Sequence, residues 1–308
     1  MAHLTSPTSS PAASKLSFAA ERQAVDDALA AFCDRYLAGV DPKVADAIRY
    51  SLLGEGKRLR GILVMTAYRA AGGARPDVTE LAAAVEVVHA YSLVHDDLPC
   101  MDDDDMRRGQ PTVHRVYGVP AATAAGLAMV PLAARAALDA ASALGLPAGT
   151  RGAIVRHLMR ASGAGGMIGG QLLDLEGEGT VLSLAQLERT HRAKTGALIA
   201  ASVELGGMAA GAGAAPMAAF SRYGAAIGLA FQIADDVLDV TATTDELGKT
   251  AGRDLALQKS TYPALLGVDG AVARAAALVN EACDALDRAG LLTAELEHLA
   301  RFMIARRS

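Results

Sequence analysis

The chain has no tryptophan, and aromatic residues fill only 4% of its 308 positions. Its core must therefore be built from Ala, Leu, Val and Ile, and a hydrophobic share of 52% against 20% charged residues allows a large one. Cysteine is scarce too. Cys33, Cys100 and Cys283 are odd in number and widely spaced, which fits neither a disulfide framework nor a zinc site and points to a reducing, cytoplasmic setting. Positive charge is not in excess: 29 Lys and Arg stand against 34 Asp and Glu, a net charge of -5. That balance argues against a nucleic-acid partner. An anionic ligand would have to be drawn by a local cluster of cations.

Long apolar runs are also missing. The longest uncharged stretch, Val116 to Ala134, contains Pro120, Pro131, Gly118 and Gly126 and is dominated by Ala. A membrane-spanning helix needs about 20 strongly apolar residues, so no membrane span is expected. Met1 to Lys15 is rich in Ser, Thr, Pro and Ala without a basic start and apolar run. It reads as a disordered tail over 1–15 rather than a secretory signal. No linker divides the remainder, so residues 16–308 are expected to form one large domain.

What remains is helical in pattern. Segments rich in Ala, Leu, Glu and Arg, separated by short Gly or Pro breaks, predict helices near 18–38, 43–53, 58–72, 77–97, 121–143, 150–164, 184–209, 217–240 and 270–289. No series of alternating strands occurs, so the fold class is all-α. The run Gly163-Ala-Gly-Gly-Met-Ile-Gly-Gly170 lacks the dinucleotide spacing and follows no strand. Its small residues are expected to let two helices approach closely, or to break one helix beside a cavity.

Two acidic clusters carry the chemistry. The first is Asp96-Asp97-Leu-Pro-Cys-Met-Asp102, followed by Asp103, Asp104, Asp105, Arg107 and Arg108. His89, Ser92 and Asp96 share a helical face with it. Pro99 disfavours helix at Leu98, so the chain should curl back and bring Asp102 toward Asp96. The second is Asp235-Asp236-Val-Leu-Asp239, on one helical stripe with Gly224, Gly228, Phe231 and Gln232. Like charges about 4 Å apart repel by roughly 4 kcal/mol at an effective dielectric of 20, so such clusters call for a counter-ion. Oxygen-only ligands that share a substrate's phosphates suit magnesium.

Cations complete the set. Lys57, Arg58 and Arg60 follow a Gly54-Glu-Gly56 turn; Arg107 and Arg108 follow the first acidic cluster; Lys194-Thr195-Gly196, Lys249 and Lys259 come later. Acidic clusters and cations together imply a polyanion held by metal on one side and by guanidinium and ammonium groups on the other. Diphosphate fits that description.

At these residues the chain resembles the trans-prenyltransferases, most closely the bacterial farnesyl diphosphate synthases. The resemblance lies in Gly-Lys-Arg-Leu-Arg at 56–60, His-Ala-Tyr-Ser-Leu-Val-His-Asp-Asp-Leu-Pro at 89–99 and Met-Asp-Asp-Asp-Asp-Met-Arg-Arg-Gly at 101–109. It continues in Gly-Gly-Gln-Leu-Leu-Asp-Leu at 169–175, His-Arg-Ala-Lys-Thr-Gly-Ala-Leu at 191–198, Gly-Leu-Ala-Phe-Gln-Ile-Ala-Asp-Asp-Val-Leu-Asp at 228–239 and Lys-Ser-Thr-Tyr-Pro at 259–263. The motifs stand in family order from about residue 20 onward.

The resemblance implies a bundle of antiparallel helices around a deep cavity, as a homodimer. It implies three Mg²⁺ ions held by Asp96, Asp102 and Asp235, with Asp97, Asp236 and Asp239 supporting or completing the shells. Lys57, Arg60, His89 and Arg108 would bind isopentenyl diphosphate, while Arg107, Lys194, Thr195, Gln232, Lys249 and Lys259 would hold an allylic diphosphate. Tyr91, with Ser92 beside it, would form the cavity floor that limits the product to farnesyl diphosphate. Geranylgeranyl or geranyl diphosphate synthesis, a terpene cyclase and a non-catalytic partner subunit are the alternatives. Three positions depart from the family pattern: Glu55 where a second Gly is common, Gly61 where Pro is common, and Leu127 where Asp is usual.

Overall fold

The structure is a computed structural model that describes residues 17–241 and 259–305. The expected tail over 1–15 and Lys249 lie outside the described residues. The opening helix, α1, is Ala19–Tyr36, and α2 is Pro42–Leu53. Pro42 gives up no hydrogen bond in the first turn of α2, where the Asp41 carboxylate accepts from the Lys43 and Val44 N–H groups. Next come α3 (Leu59–Ala70) and α4 (Val78–Asp96). A small hairpin joins β1 (Met106–Arg107) to β2 (Gln110–Pro111), with Met106 opposite Pro111 and Arg107 opposite Gln110. Its two turn residues, Arg108 and Gly109, both have positive φ, 52° and 75°. A two-residue hairpin of type I′ needs that conformation.

The chain continues through α5 (Val113–Tyr117), α6 (Val119–Ala143), α7 (Ala148–Ser162), α8 (Met167–Glu176) and α9 (Leu184–His191). A reciprocal capping box between Ser183 and Gln186 starts α9. A π-helical turn, Arg192–Gly196, then leads into α10 (Ala197–Ala209), α11 (Ala214–Thr241), α12 (Tyr262–Asp287) and α13 (Ala294–Ala305). The all-α expectation holds. Four details differ from the expected helices. The segment 184–209 is not one helix, because the π-turn interrupts it. Helix α12 begins at Tyr262 rather than near 270 and kinks at Gly267, whose φ is 72°. The short helix α8 forms directly after the glycine run, and α13 adds a further helix near the C-terminal end of the described residues.

Two apolar clusters fill the bundle. In the first, α4 packs on the alanine-rich inner face of α6, where Ala125, Met129, Ala133, Ala136, Ala137 and Ala140 are buried. In the second, α11 packs on α12 around Phe220, Tyr223, Ile227 and Leu278. Helices α3 and α10 contribute to both, as Val64 and Leu205 join the first while Leu63 and Val203 join the second. By length and composition alone, α6 and α12 are apolar enough to cross a membrane. Each nonetheless packs along another helix, α6 on α4 and α12 on α11.

Glycines let α8 and α11 touch the π-turn. A Cβ at Gly170 would stand 2.0 Å from the Lys194 backbone N, so only glycine lets α8 reach the π-turn. A Cβ at Gly228 would stand 2.9 Å from Gly196 Cα, which brings α11 against the same turn. The glycine run thus does both things expected of it: Gly163 closes α7, and Gly170 permits close approach. Gly170→Ala should cost about 1–3 kcal/mol, read as a lower urea midpoint. Gly149→Ala, where a Cβ meets nothing within 4 Å, should be neutral or slightly stabilising by the same measurement.

Candidate active site

A cavity of about 1030 Å³ opens among α1, the α2–α3 turn, α4, the hairpin, α8, α9, the π-turn and α11. Its lining brings together Lys57, Arg60, His89, Ser92, Asp96, Asp102, Arg107, Arg108, Lys194, Thr195, Gln232, Asp235, Asp236 and Lys259. Asp97, Asp239 and Tyr91 are buried but do not line it. Tyr91 belongs to the first apolar cluster, its ring edge-on to His95 with centroids 5.2 Å apart.

The first acidic wall is made by a tight reversal. Helix α4 ends at Asp96, and the Asp102 N–H donates back to the Asp96 carbonyl at 2.8 Å, while Asp103 adopts φ 50° to close the loop. Burial above all pushes the Asp96 carboxyl up to about 6, with Asp102 and Asp97 adding to the shift and Lys194 and Arg107 opposing it. Asp97 takes no place on the wall; its carboxylate accepts from Arg107 Nε at 2.7 and 2.9 Å. Arg107 is thereby fixed at the cavity edge by the acidic residue next to Asp96.

The second wall is α11. Asp235 and Asp236 both line the cavity, but the Asp236 carboxylate also accepts from the Tyr262 N–H at 2.9 Å and meets His191 Nε2 at 3.2 Å. The His191 and Tyr262 rings stack 5.8 Å apart. Asp236 therefore fastens the entrance of α12, and with it Lys259, to α11. Thr261 caps that entrance, so the Lys-Ser-Thr-Tyr-Pro motif is partly a helix start.

The cations fall into two groups. Near α4, Arg58 is buried in a left-handed conformation, φ 49°. Its Nε donates to Asp26 at 2.7 Å and its Nη2 to the Leu52 and Gly54 carbonyls at 2.9 and 2.7 Å. It braces the turn from which Lys57 and Arg60 project. Arg108 Nη1 holds the same turn from outside through the Glu55 carbonyl at 2.9 Å. Burial, reinforced by Arg60, Arg108, Arg107 and Arg58, keeps His89 well below its ordinary pKa, so it is neutral near pH 7. In the second group, Lys194 Nζ and Lys259 Nζ donate to the same Asp174 oxygen at 2.6 and 2.9 Å. Burial works against that carboxylate, but the two ammonium groups prevail and hold it at about 2.

Asp174, Gln171, His191 and Glu86 also line the cavity, and the sequence reading gave them no role. The signal for Asp174 was present: the first acid after an apolar glycine-led segment, at i+3 from a glutamine. The departures have local accounts. Glu55 is exposed and contributes its carbonyl. The Gly61 N–H donates to the buried Glu86 carboxylate at 2.9 Å, a bond proline could not make. Leu127 is 64% exposed on α6.

The donor set of Asp96, Asp102 and Asp235 is carboxylate oxygen alone, which fits a hard divalent cation. No three His, Cys, Asp or Glu groups among the described residues converge on one point. An ion there would take its remaining ligands from substrate and water, as magnesium commonly does. In metal-free protein, ionising Asp96 costs stability as pH rises from its ordinary 3.8 to about 6. Asp96→Asn should therefore melt higher than the parent above about pH 6 in chelator, and the difference should vanish below pH 3.8. Equal melting at every pH would contradict the burial of this carboxyl.

Comparison with known proteins agrees with this layout. The chain is 45% identical to the farnesyl diphosphate synthase of Escherichia coli (strain K12) over 270 residues, covering 85% of this chain and 89% of that one. It is 38% identical to the farnesyl diphosphate synthase of Geobacillus stearothermophilus, covering 93% and 95%. Among solved structures, an FPP/GFPP synthase from Zymomonas mobilis superposes with a TM-score of 0.78 at 32% identity, covering 93% and 98%. The polyprenyl synthetase family pattern matches residues 41–289, and the chain belongs to that family.

Proposed function

We propose that this prenyltransferase joins isopentenyl diphosphate head to tail to dimethylallyl and geranyl diphosphates, releases diphosphate, and stops at farnesyl diphosphate. One observation carries the reading: a single cavity is lined by cations from the α2–α3 turn and the hairpin, by Lys194 and Lys259 from the π-turn and the entrance of α12, and by carboxylates from α4 and α11. Two anionic substrates can dock there together. Lys57, Arg60, His89 and Arg108 bind isopentenyl diphosphate; Arg107, Lys194, Thr195, Gln232 and Lys259 hold the allylic diphosphate, with Lys249 assigned from the family pattern. Neutral His89 offers a hydrogen-bond donor without adding charge to a crowded cationic corner.

Asp96, Asp102 and Asp235 would hold magnesium, about three ions by family likeness, with Asp97, Asp236 and Asp239 behind them. When bound there, magnesium supplies the positive charge that stabilises diphosphate as it leaves. The apolar lining from Leu93, Met167 and Phe231 keeps water from the reactive carbon. The proton lost after carbon–carbon bond formation passes to the departing diphosphate, so no side chain need act as general base. The enzyme works in the cytoplasm as a homodimer, and the exposed apolar residues Val116, Val119, Leu127 and Leu138 along α5 and α6 offer a surface for the second copy.

Incubation with labelled isopentenyl diphosphate and C5, C10 or C15 allylic starters, followed by chain-length analysis, tests the reaction. C15 product from C5 and C10, with no C20 from C15, is expected. Asp96→Ala and Asp235→Ala should each lower turnover by several orders of magnitude, and a loss under tenfold would misplace the ions. Tyr91 does not line the cavity but adjoins Ser92, which does, and Tyr91→Ala should move product toward C20 by letting the cavity extend into the space the ring leaves. An active variant that still makes only C15 would place the cavity floor elsewhere.

A further inference from the structure

Helix α8 presents Met167, Gln171 and Asp174 to the cavity, residues spaced four and three apart on one face. At 1.5 Å per residue, Gln171 stands about 4.5 Å along the axis from Asp174 and about 6 Å from Met167. Asp174 marks the ionic end, because its carboxylate grips Lys194 and Lys259. Met167 marks the apolar end. Gln171 lies at the boundary, where a diphosphate held by the lysines gives way to its hydrocarbon.

Gln171 is 8% exposed, yet neither its Oε1 nor its Nε2 has a hydrogen-bond partner among the described residues. Buried amides are almost always paired, and an unpaired one lowers stability. A helix position facing a cavity could hold an apolar residue at no such cost. The amide is retained for something that arrives.

Resting on the prenyl-transfer reading of this cavity, we propose that Gln171 contacts the reacting allylic unit. Its carbonyl dipole faces the carbon that becomes positive, and its N–H donates to the diphosphate oxygen that leaves. As the carbon–oxygen bond breaks, its electron pair departs with diphosphate; the isopentenyl double bond supplies the pair for the new carbon–carbon bond, and a proton then leaves to diphosphate. Both ends of the amide meet charge that grows only during bond breaking. Three side-chain torsions give it the reach to do so.

The test uses Gln171→Met, which keeps length and flexibility but removes both polar atoms. Expected is a fall in kcat of about a hundredfold, the scale for losing one preorganised dipole, with the KM for isopentenyl diphosphate within about twofold. The thermal midpoint of the ligand-free variant should hold or rise, because an unpaired buried amide has gone. A kcat within threefold of the parent overturns the proposal. So does a joint fall of kcat and thermal midpoint, which marks a structural role. Gln171→Leu is read the same way if the methionine variant does not fold, and failure of both to fold also overturns it. A parent protein that forms no prenyl product sinks the functional reading, and this inference with it; an active parent with an undiminished variant sinks the inference alone.

Discussion

Two ammonium groups share one carboxylate oxygen at the heart of this protein, and much of the cavity wall follows from that arrangement. Lys194 and Lys259 both donate to Asp174 Oδ2. Two buried cations this close would repel strongly at low dielectric, so the shared anion is what allows them to coexist. The contact also joins three segments distant in sequence: α8, the π-turn, and the residues that enter α12. Each arrives by its own device. Gly170 admits the π-turn, the extra residue of the π-turn re-aims Lys194, and Asp236 pins the backbone beside Lys259.

The opposite wall solves the reverse problem. Asp96 and Asp102 are held close by a backbone hydrogen bond, while neighbouring Asp97 is neutralised by Arg107 and withdrawn from the lining. Alternate members of the acidic runs therefore do different work. Asp96 and Asp102 line the cavity, while Asp97 anchors a cation behind it. On α11 the difference is one of partners alone: Asp235 and Asp236 both line the cavity, but Asp236 is engaged by the Tyr262 N–H.

Much of this was legible in the sequence. The all-α class followed from periodicity, and the return of Asp102 to Asp96 followed from Pro99. The facing of Gln232 and Asp235 into one cavity followed from helical spacing. What escaped notice was non-local. Nothing in Leu184 to Ala209 signals that the ladder slips into a π-turn, and the close contacts of α8 and α11 at Lys194 and Gly196 are visible only in the fold. The glycine run hid α8, since glycine's weak helix propensity is overridden here by tertiary contact. Arg58 read as one cation among several, and only its buried contacts with Asp26, Leu52 and Gly54 mark it as a brace. Asp97 and Asp236 looked like their neighbours; burial and partners separate them.

The hairpin that carries Arg107 and Arg108 has a consequence for anyone engineering this protein. Arg108 occupies a left-handed conformation, φ 52°, that glycine or asparagine would adopt with less strain. A search for heat-tolerant variants would accordingly favour a Gly-Gly turn there. It would discard the guanidinium that steadies the Glu55 carbonyl at the cavity mouth. The ease of the turn and the bracing of the cavity's edge thus pull on the same codon in opposite directions, and a ranking by turn strain alone would select against the side chain that holds Glu55.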